Sequence, residues 1–234
     1  MGLWNWLRRP AAPENAAPPA GPDPAEMLRT LAALDDRQWG RYAFRREPLE
    51  GKFTSAQKDA YIAAANRCGA EWARRLAAQY GSRDPWRLAQ ALGLKVHTPA
   101  MPTGGGQVLF AQFAEPDEIT LFTDCLEQAA RLGPVLPDRD ELAAILLAHE
   151  LFHAVELQNP AIYTRTETVE LWRKPFSNRS RLLCLSEMAA MAFARALLDL
   201  PWSPYVLDVL LVYPYDPAAA RSLWEEICEI SKEE

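Results

Sequence analysis

The spacing of apolar positions divides the chain into a helical first part, a short middle section of strand character and a helical last part. Helical spacing predicts a helix from residue 24 to about 34, an irregular stretch to 53, and a longer helix opened by Thr54-Ser55. Strong helix formers carry that longer helix from Ala60 to Tyr80, and Gly81 stops it. Its Ala-rich face, with Tyr61, Ile62 and Trp72, reads as packing surface. Asp84-Pro85-Trp86 starts a shorter helix, with Asp84 as N-cap and Pro85 in the first helical position, and Gly93 closes it. The period then shortens. Residues 94–97, 107–113 and 118–122 are short β-type runs separated by Pro and Gly clusters. Thr103-Gly104-Gly105-Gly106 reads as a mobile turn; no helix follows it, so it is not a phosphate loop. Helical spacing returns at 124–132, 138–158, 181–200 and 216–230, with a polar stretch over 159–180. Helices, then a small sheet, then helices make an α+β arrangement. Residues 25–83 form its helical N-terminal region and 84–234 the domain that carries the sheet.

Ahead of this lies a segment that cannot pack a core. Pro10, Pro13, Pro18, Pro19, Pro22 and Pro24 alternate with Ala and polar residues, so residues 1–24 are expected to be a disordered Pro/Ala-rich tail. At its start Leu3, Trp4, Trp6 and Leu7 sit beside Arg8 and Arg9. That group reads either as a hook for a partner or an anionic membrane surface, or as a tail whose Trp residues tuck onto the domain. So short a stretch cannot form a stable helix alone.

The net charge of −6 leaves no basic footprint for nucleic acid. No apolar run approaches the ~20 residues that span a bilayer. The N-terminal Arg pair follows the apolar residues, the reverse of a secretory signal, which points to the cytoplasm. Cys68, Cys125, Cys184 and Cys228 are too scattered for a metal cage or a disulfide framework and read as reduced thiols.

Chemistry is concentrated at His149-Glu150-Leu151-Phe152-His153, an H-E-x-x-H pattern within the helical run 138–158. A separation of four residues stacks the two imidazoles on one helix face, close enough to share a zinc ion. Glu150 falls on the flank of that face, where it can reach a water on the ion without being a ligand. The plainer alternative is a chance pattern with two hydrogen-bonded core histidines. Context weighs against it: Asp140 and Glu141 stand in the first turn, and Leu142, Ile145 and Leu146 share the histidine face and draw it into the interior. Two buried imidazoles beside an acid are costly unless something binds them.

A catalytic zinc takes three protein ligands and leaves a place for water. Glu156 shares the side of His149, but the rise between them is about 10 Å, too far for one straight helix to bring all three to a single ion. It reads as a neighbour of the ligands or as facing substrate. Glu167 and Glu170 read as solvated, and His97 as a strand residue that would make a three-His site. Glu187 is the strongest candidate, a lone acid at the start of an apolar, small-residue helix (Ser186-Glu187-Met188-Ala189-Ala190-Met191-Ala192-Phe193-Ala194) that can approach another helix closely. The alternative for Glu187 is a solvated first-turn acid.

These blocks resemble the ImmA/IrrE family of zinc metallopeptidases. HELFH is followed by E-x-x-A-x-x-F-A-x-x-L-L-x-x-P, here Glu187, Ala190, Phe193, Ala194, Leu197, Leu198 and Pro201. Asp84-Pro85-Trp86 with Ala89, Leu92, Gly93, Leu94 and Val96 is similar to the family's opening helix and strand, and Glu118-Ile119-Thr120-Leu121 to the strand before its metal helix. The resemblance covers about residues 84–201. It departs at Ala189, where the family usually has an acid, at the bulky Phe152, and at Asp199-Leu200-Pro201. It implies a zincin-like domain, one Zn2+ held by His149, His153 and Glu187, Glu150 as general base, and a protein or peptide substrate. Tyr163, Arg165 and Tyr205 are candidates for a donor to the oxyanion. Two rival readings are a zinc-stabilised sensor that does not cleave, and an interaction protein recruited through its N-terminal Trp/Arg group.

Overall fold

Six of the helices start where a side chain takes up free N–H groups of the first turn, each such cap worth about 1 kcal/mol. The computed structural model describes residues 7–8, 21–100, 107–172 and 178–232. Asp23 accepts from the Glu26 N–H to open α1 (Pro24–Ala32). Asp35 and Gln38 cap each other's backbone at the start of α2 (Asp36–Phe44), as Thr54 and Gln57 do for α3 (Ser55–Tyr80). Gly81 ends α3 in the left-handed conformation, at φ 62°. Asp84 and Pro85 open α4 (Pro85–Ala91). α5 (Thr123–Ala130) precedes α6 (Arg139–Gln158), where Asp138 accepts from both Asp140 and Glu141. The short α7 (Tyr163–Thr166), α8 (Leu183–Leu198), the short α9 (Leu207–Leu210) and α10 (Pro217–Ile230) complete the helices.

α2 corrects the expected irregular stretch. The reason is packing: Trp39, Tyr42, Ala43 and Phe44 are all buried, and Trp39 lies between Tyr42 and Tyr205 with ring centroids 5.7 and 5.4 Å away.

The sheet is small. β2 (Lys95–His97) runs parallel to β5 (Glu118–Leu121), and β4 (Ala111–Ala114) pairs antiparallel with the other edge of β5. β5 buries Ile119 and Leu121 in the core. The expected strand 107–113 is broken into β3 (Gln107–Val108) and β4. At the break the Cys125 thiol donates to the Leu109 carbonyl at 2.8 Å, and Phe110 turns into the core toward Tyr215. Within the expected polar stretch, β6 (Val169–Trp172) and β7 (Asn178–Ser180) form an antiparallel pair with a register shift between Glu170 and Trp172. The protein is thus mixed α+β and mostly helical. β1 (Leu7–Arg8) pairs antiparallel with β3, and the expected tail ends early, because Asp23 and Pro24 already belong to the start of α1; residues 1–6 and 9–20, including Leu3, Trp4 and Trp6, and the turn at Thr103-Gly106 lie outside the described residues. Among the described residues no helix is long and apolar enough to cross a membrane, and all four cysteines are free thiols.

One continuous core runs from Met27 on α1 to Ile230 on α10, with α8 at its centre between α3 and α6. The approach of α3 to α8 depends on Gly69: a Cβ there would lie 2.0 Å from the Ala189 carbonyl oxygen and 2.9 Å from the Phe193 nitrogen. α8 has no capping side chain of its own at its start. Glu47, buried in the turn after α2, accepts from the Cys184 N–H at 3.2 Å and places a carboxylate at the positive end of the helix.

Alanine at position 69 would recover about 1 kcal/mol of helix propensity. It would also drive a methyl into backbone, and overpacking of that kind costs about 1–3 kcal/mol. Gly69→Ala should therefore lower unfolding free energy despite its better propensity, read as a lower urea midpoint. An unchanged or raised midpoint would mean that the close approach does not limit this interface.

Candidate metal centre

The two motif histidines project from α6 into the space between α6 and α8. His149 is wholly buried and the His153 side chain is 14% exposed. Their Nε2 atoms lie 3.2 Å apart. Glu187, one turn into α8, brings Oε2 to 3.4 Å from His149 Nε2 and Oε1 to 3.8 Å from His153 Nε2. These three are the group among the described residues that could hold a metal ion, with one donor atom from each lying within 4.8 Å of the others.

The donor set suits zinc. Ligand atoms about 2.05 Å from a tetrahedral ion are separated by about 3.3 Å, close to the 3.2 and 3.4 Å observed. Two imidazoles and one carboxylate favour zinc over magnesium or calcium, which prefer oxygen ligands.

Charge around the pair is unbalanced without a cation. Burial alone would push the His153 imidazole down, but the carboxylates of Glu187, Glu156 and Glu150 outweigh it and raise its pKa to about 9. In the metal-free protein His153 therefore carries a proton at neutral pH.

Glu150 is 2% exposed, and its Oε1 has no hydrogen-bond partner among the described residues. Glu156 lies on the other side of His153. Ser186 Oγ donates to Glu156 Oε2 at 2.8 Å and sits 3.3 Å from His153 Nδ1, the nitrogen turned away from Glu187. Burial opposes ionisation of Glu156, but hydrogen bonds from His153, Thr164 and Ser186 hold its carboxyl below the usual range. An anion there keeps the Nδ1 proton in place and Nε2 turned toward the cluster.

The other sequence candidates are not drawn in. His97 is exposed at the end of β2. Glu167 follows α7, and Glu170 is an exposed residue of β6. Arg165 Nη1 donates to the carbonyls of Glu156 and Leu157, both at 3.3 Å, and so caps the C-terminal end of α6. Tyr163 is half-buried against α3. Tyr205 is buried, stacks on Trp39, and has a hydroxyl without a hydrogen-bond partner among the described residues. Burial, with the negative charges of Glu187 and Asp208, pushes that hydroxyl well above its ordinary pKa, so it stays a neutral donor.

Two contributors were not anticipated. Ser186 adjoins Glu187 but carried no signal beyond its polarity. Asp208 stands alone in the apolar run Tyr205-Val206-Leu207-Asp208-Val209-Leu210-Leu211 and was findable by the logic that singled out Glu187. Tyr42 donates to Asp208 Oδ2 at 2.8 Å. Burial raises the Asp208 carboxyl; Arg46 and Tyr42 pull it down, Glu187 pushes it up again, and the balance stands at about 7.

Comparison of the chain with family models, with curated proteins and with solved structures finds no match.

A ligand brought from a separate helix should be dispensable for folding but not for metal retention. Glu187→Ala should keep its helical circular dichroism yet lose zinc to a mild chelator much faster than the parent. Glu156→Ala should show a smaller loss, within about 10–100-fold in affinity. Equal losses in the two variants would remove Glu187 from the ligand set.

Asp208 gives a pH signature in the metal-free protein. Its carboxyl rises from 3.8 when unfolded to about 7 when folded. Between these values the native state holds the extra proton, so the contribution is present below the lower pKa and is lost as pH rises through the higher one. The loss is on the order of 4 kcal/mol at most. Asp208→Asn keeps an acceptor for Tyr42 and removes the titration. Its urea midpoint should fall less than the parent's between about pH 5 and 8; parallel profiles would refute the assignment.

Proposed function

We propose that this protein is a mononuclear zinc peptidase of the ImmA/IrrE type, acting in the cytoplasm on a peptide bond of a protein substrate through a zincin-like domain. One observation carries the reading. Donor atoms of His149, His153 and Glu187 converge, while the acid that follows the first histidine, Glu150, is buried with an oxygen that nothing else engages among the described residues. A purely structural ion has no use for an acid so placed. The sequence blocks at 84–201 that resemble the family support the same reading, and the free thiols suit a reducing compartment.

His149 and His153 would bind the ion through Nε2 and Glu187 through its carboxylate, and the ion so held supplies Lewis acidity toward a water and the scissile carbonyl. The remaining work belongs to the chain. Glu150 takes a proton from the attacking water as the new C–O bond forms, and returns it to the amine nitrogen as the C–N bond breaks. Ser186 and Glu156 fix the orientation of His153 throughout. The apolar surround, with Phe152 and Phe193 packed at 5.7 Å between α6 and α8, excludes stray water from the ligands.

Protein purified without added metal should contain about one zinc per chain by elemental analysis, and His149→Ala and His153→Ala should contain none. Glu150→Gln should retain zinc while its cleavage of a quenched-fluorescence peptide library drops by about 10²-fold or more. Zinc retained in both histidine variants would sink the metal centre. Native-rate cleavage by Glu150→Gln would sink the assignment of the base.

A further inference from the structure

A cleft of about 550 Å³ lies between α3 and the turn that follows α6, within the roughly 300–1,000 Å³ of ordinary ligand pockets. One wall is a single stripe of α3 that includes Arg67, Glu71, Trp72 and Arg75; Pro160 and Tyr163 form part of the other. Arg67, Glu71 and Arg75 follow one another at i, i+4 spacing, which normally produces intrahelical ion pairs. Among the described residues these three form none. The Arg75 guanidinium instead lies 4.6 Å from the centre of the Trp72 ring, and the charge of Arg67 is felt at Tyr163 across the cleft. Both guanidiniums therefore keep donors for something else.

The cleft and the candidate metal centre share α6: Gln158, on the cleft's rim, is five residues beyond His153, a rise of about 7.5 Å and a turn of about 140° round the helix. At the base of the cleft Cys68 takes backbone N–H groups of Tyr163 and Thr164 and senses the charge of Glu156, which in turn holds Ser186 beside His153. Burial pushes the Cys68 thiol up to about 11, so it stays neutral and the cleft has no thiolate chemistry.

We infer that this cleft is a recognition pocket for one acidic residue of a peptide substrate; the inference rests on the peptidase reading for its occupant. Charge and shape select the ligand. The two arginines offer forked donors that match a carboxylate, and Trp72 with Pro160 gives the apolar stem of the side chain a surface to lie on. Glu71 stands between the arginines, so the group carries a single net positive charge. That neutralises one carboxylate, whereas a phosphate dianion or a polyanion would be left only partly neutralised.

The test uses full-length, zinc-loaded Glu150→Gln protein, which should bind peptides without cutting them. Two dye-labelled pools of random octapeptides, one with Glu fixed at a central position and one with Lys, are compared by fluorescence anisotropy. The Glu pool should bind about tenfold more tightly or better. Arg67→Glu with Arg75→Glu should reverse the preference, and the milder Arg67→Gln with Arg75→Gln should abolish it; these positions are exposed, and thermal melts verify folding. Pools that bind alike, or a Glu preference that survives the milder pair in folded protein, would overturn the proposal. So would inorganic phosphate displacing the Glu pool at equimolar concentration, which would mark a general anion site. Cleavage of the same pools by native protein reports separately on the peptidase reading: a Glu preference in binding without any cleavage supports the pocket and counts against that reading.

Discussion

The contact on which the rest of the molecule depends is the crossing of α3 over α8 at Gly69, where a missing side chain lets one helix rest on the carbonyl of Ala189. Glu187 is two residues before that carbonyl on α8. Any outward shift of α8 would carry the carboxylate away from imidazoles anchored on α6. The buried Glu47 at the start of α8 adds a second fixed point on the same helix. The candidate metal site is thus positioned from behind by residues of the first eighty, which contribute none of its three donor side chains.

Around the ligands the acids are arranged in depth. Glu187 faces both histidines, Glu156 holds His153 from behind through Ser186, and Asp208 lies beyond Glu187 with its charge moderated by Tyr42 and Arg46. So many carboxylates near two imidazoles would be a severe electrostatic cost in a dry interior. Protons on His153 and Asp208 relieve it, and a divalent cation bound at the cluster would relieve it more directly.

Features carried by local chemistry were legible in the sequence. The start of α6 was marked by Asp140 and Glu141 in its first turn, the histidine pair by its i, i+4 spacing, and Glu187 by its isolation among small apolar residues. α2 was missed although Asp35-x-x-Gln38 announces it, because a short amphipathic segment rich in Arg and aromatic residues reads as loop until its burial is known. The β6–β7 pair depends on a partner strand, and the break at Leu109 depends on a thiol sixteen residues away; neither signal is local. Two departures from the family pattern have a packing explanation. The Ala189 side chain is wholly buried, where a longer acid would be costly, and Phe152 fills the space between α6 and α8 against Phe193.

The raised pKa of His153 also bears on the order in which the molecule is put together. A metal site built only from anions and neutral imidazoles would resist closing until its ion arrived, so folding and loading would have to coincide. Here a proton can hold the place in the interval. If the cluster takes up an ion as proposed, the chain would close its core first and exchange that proton for the metal afterwards. Scarcity of the ion would then delay loading without stranding the chain unfolded.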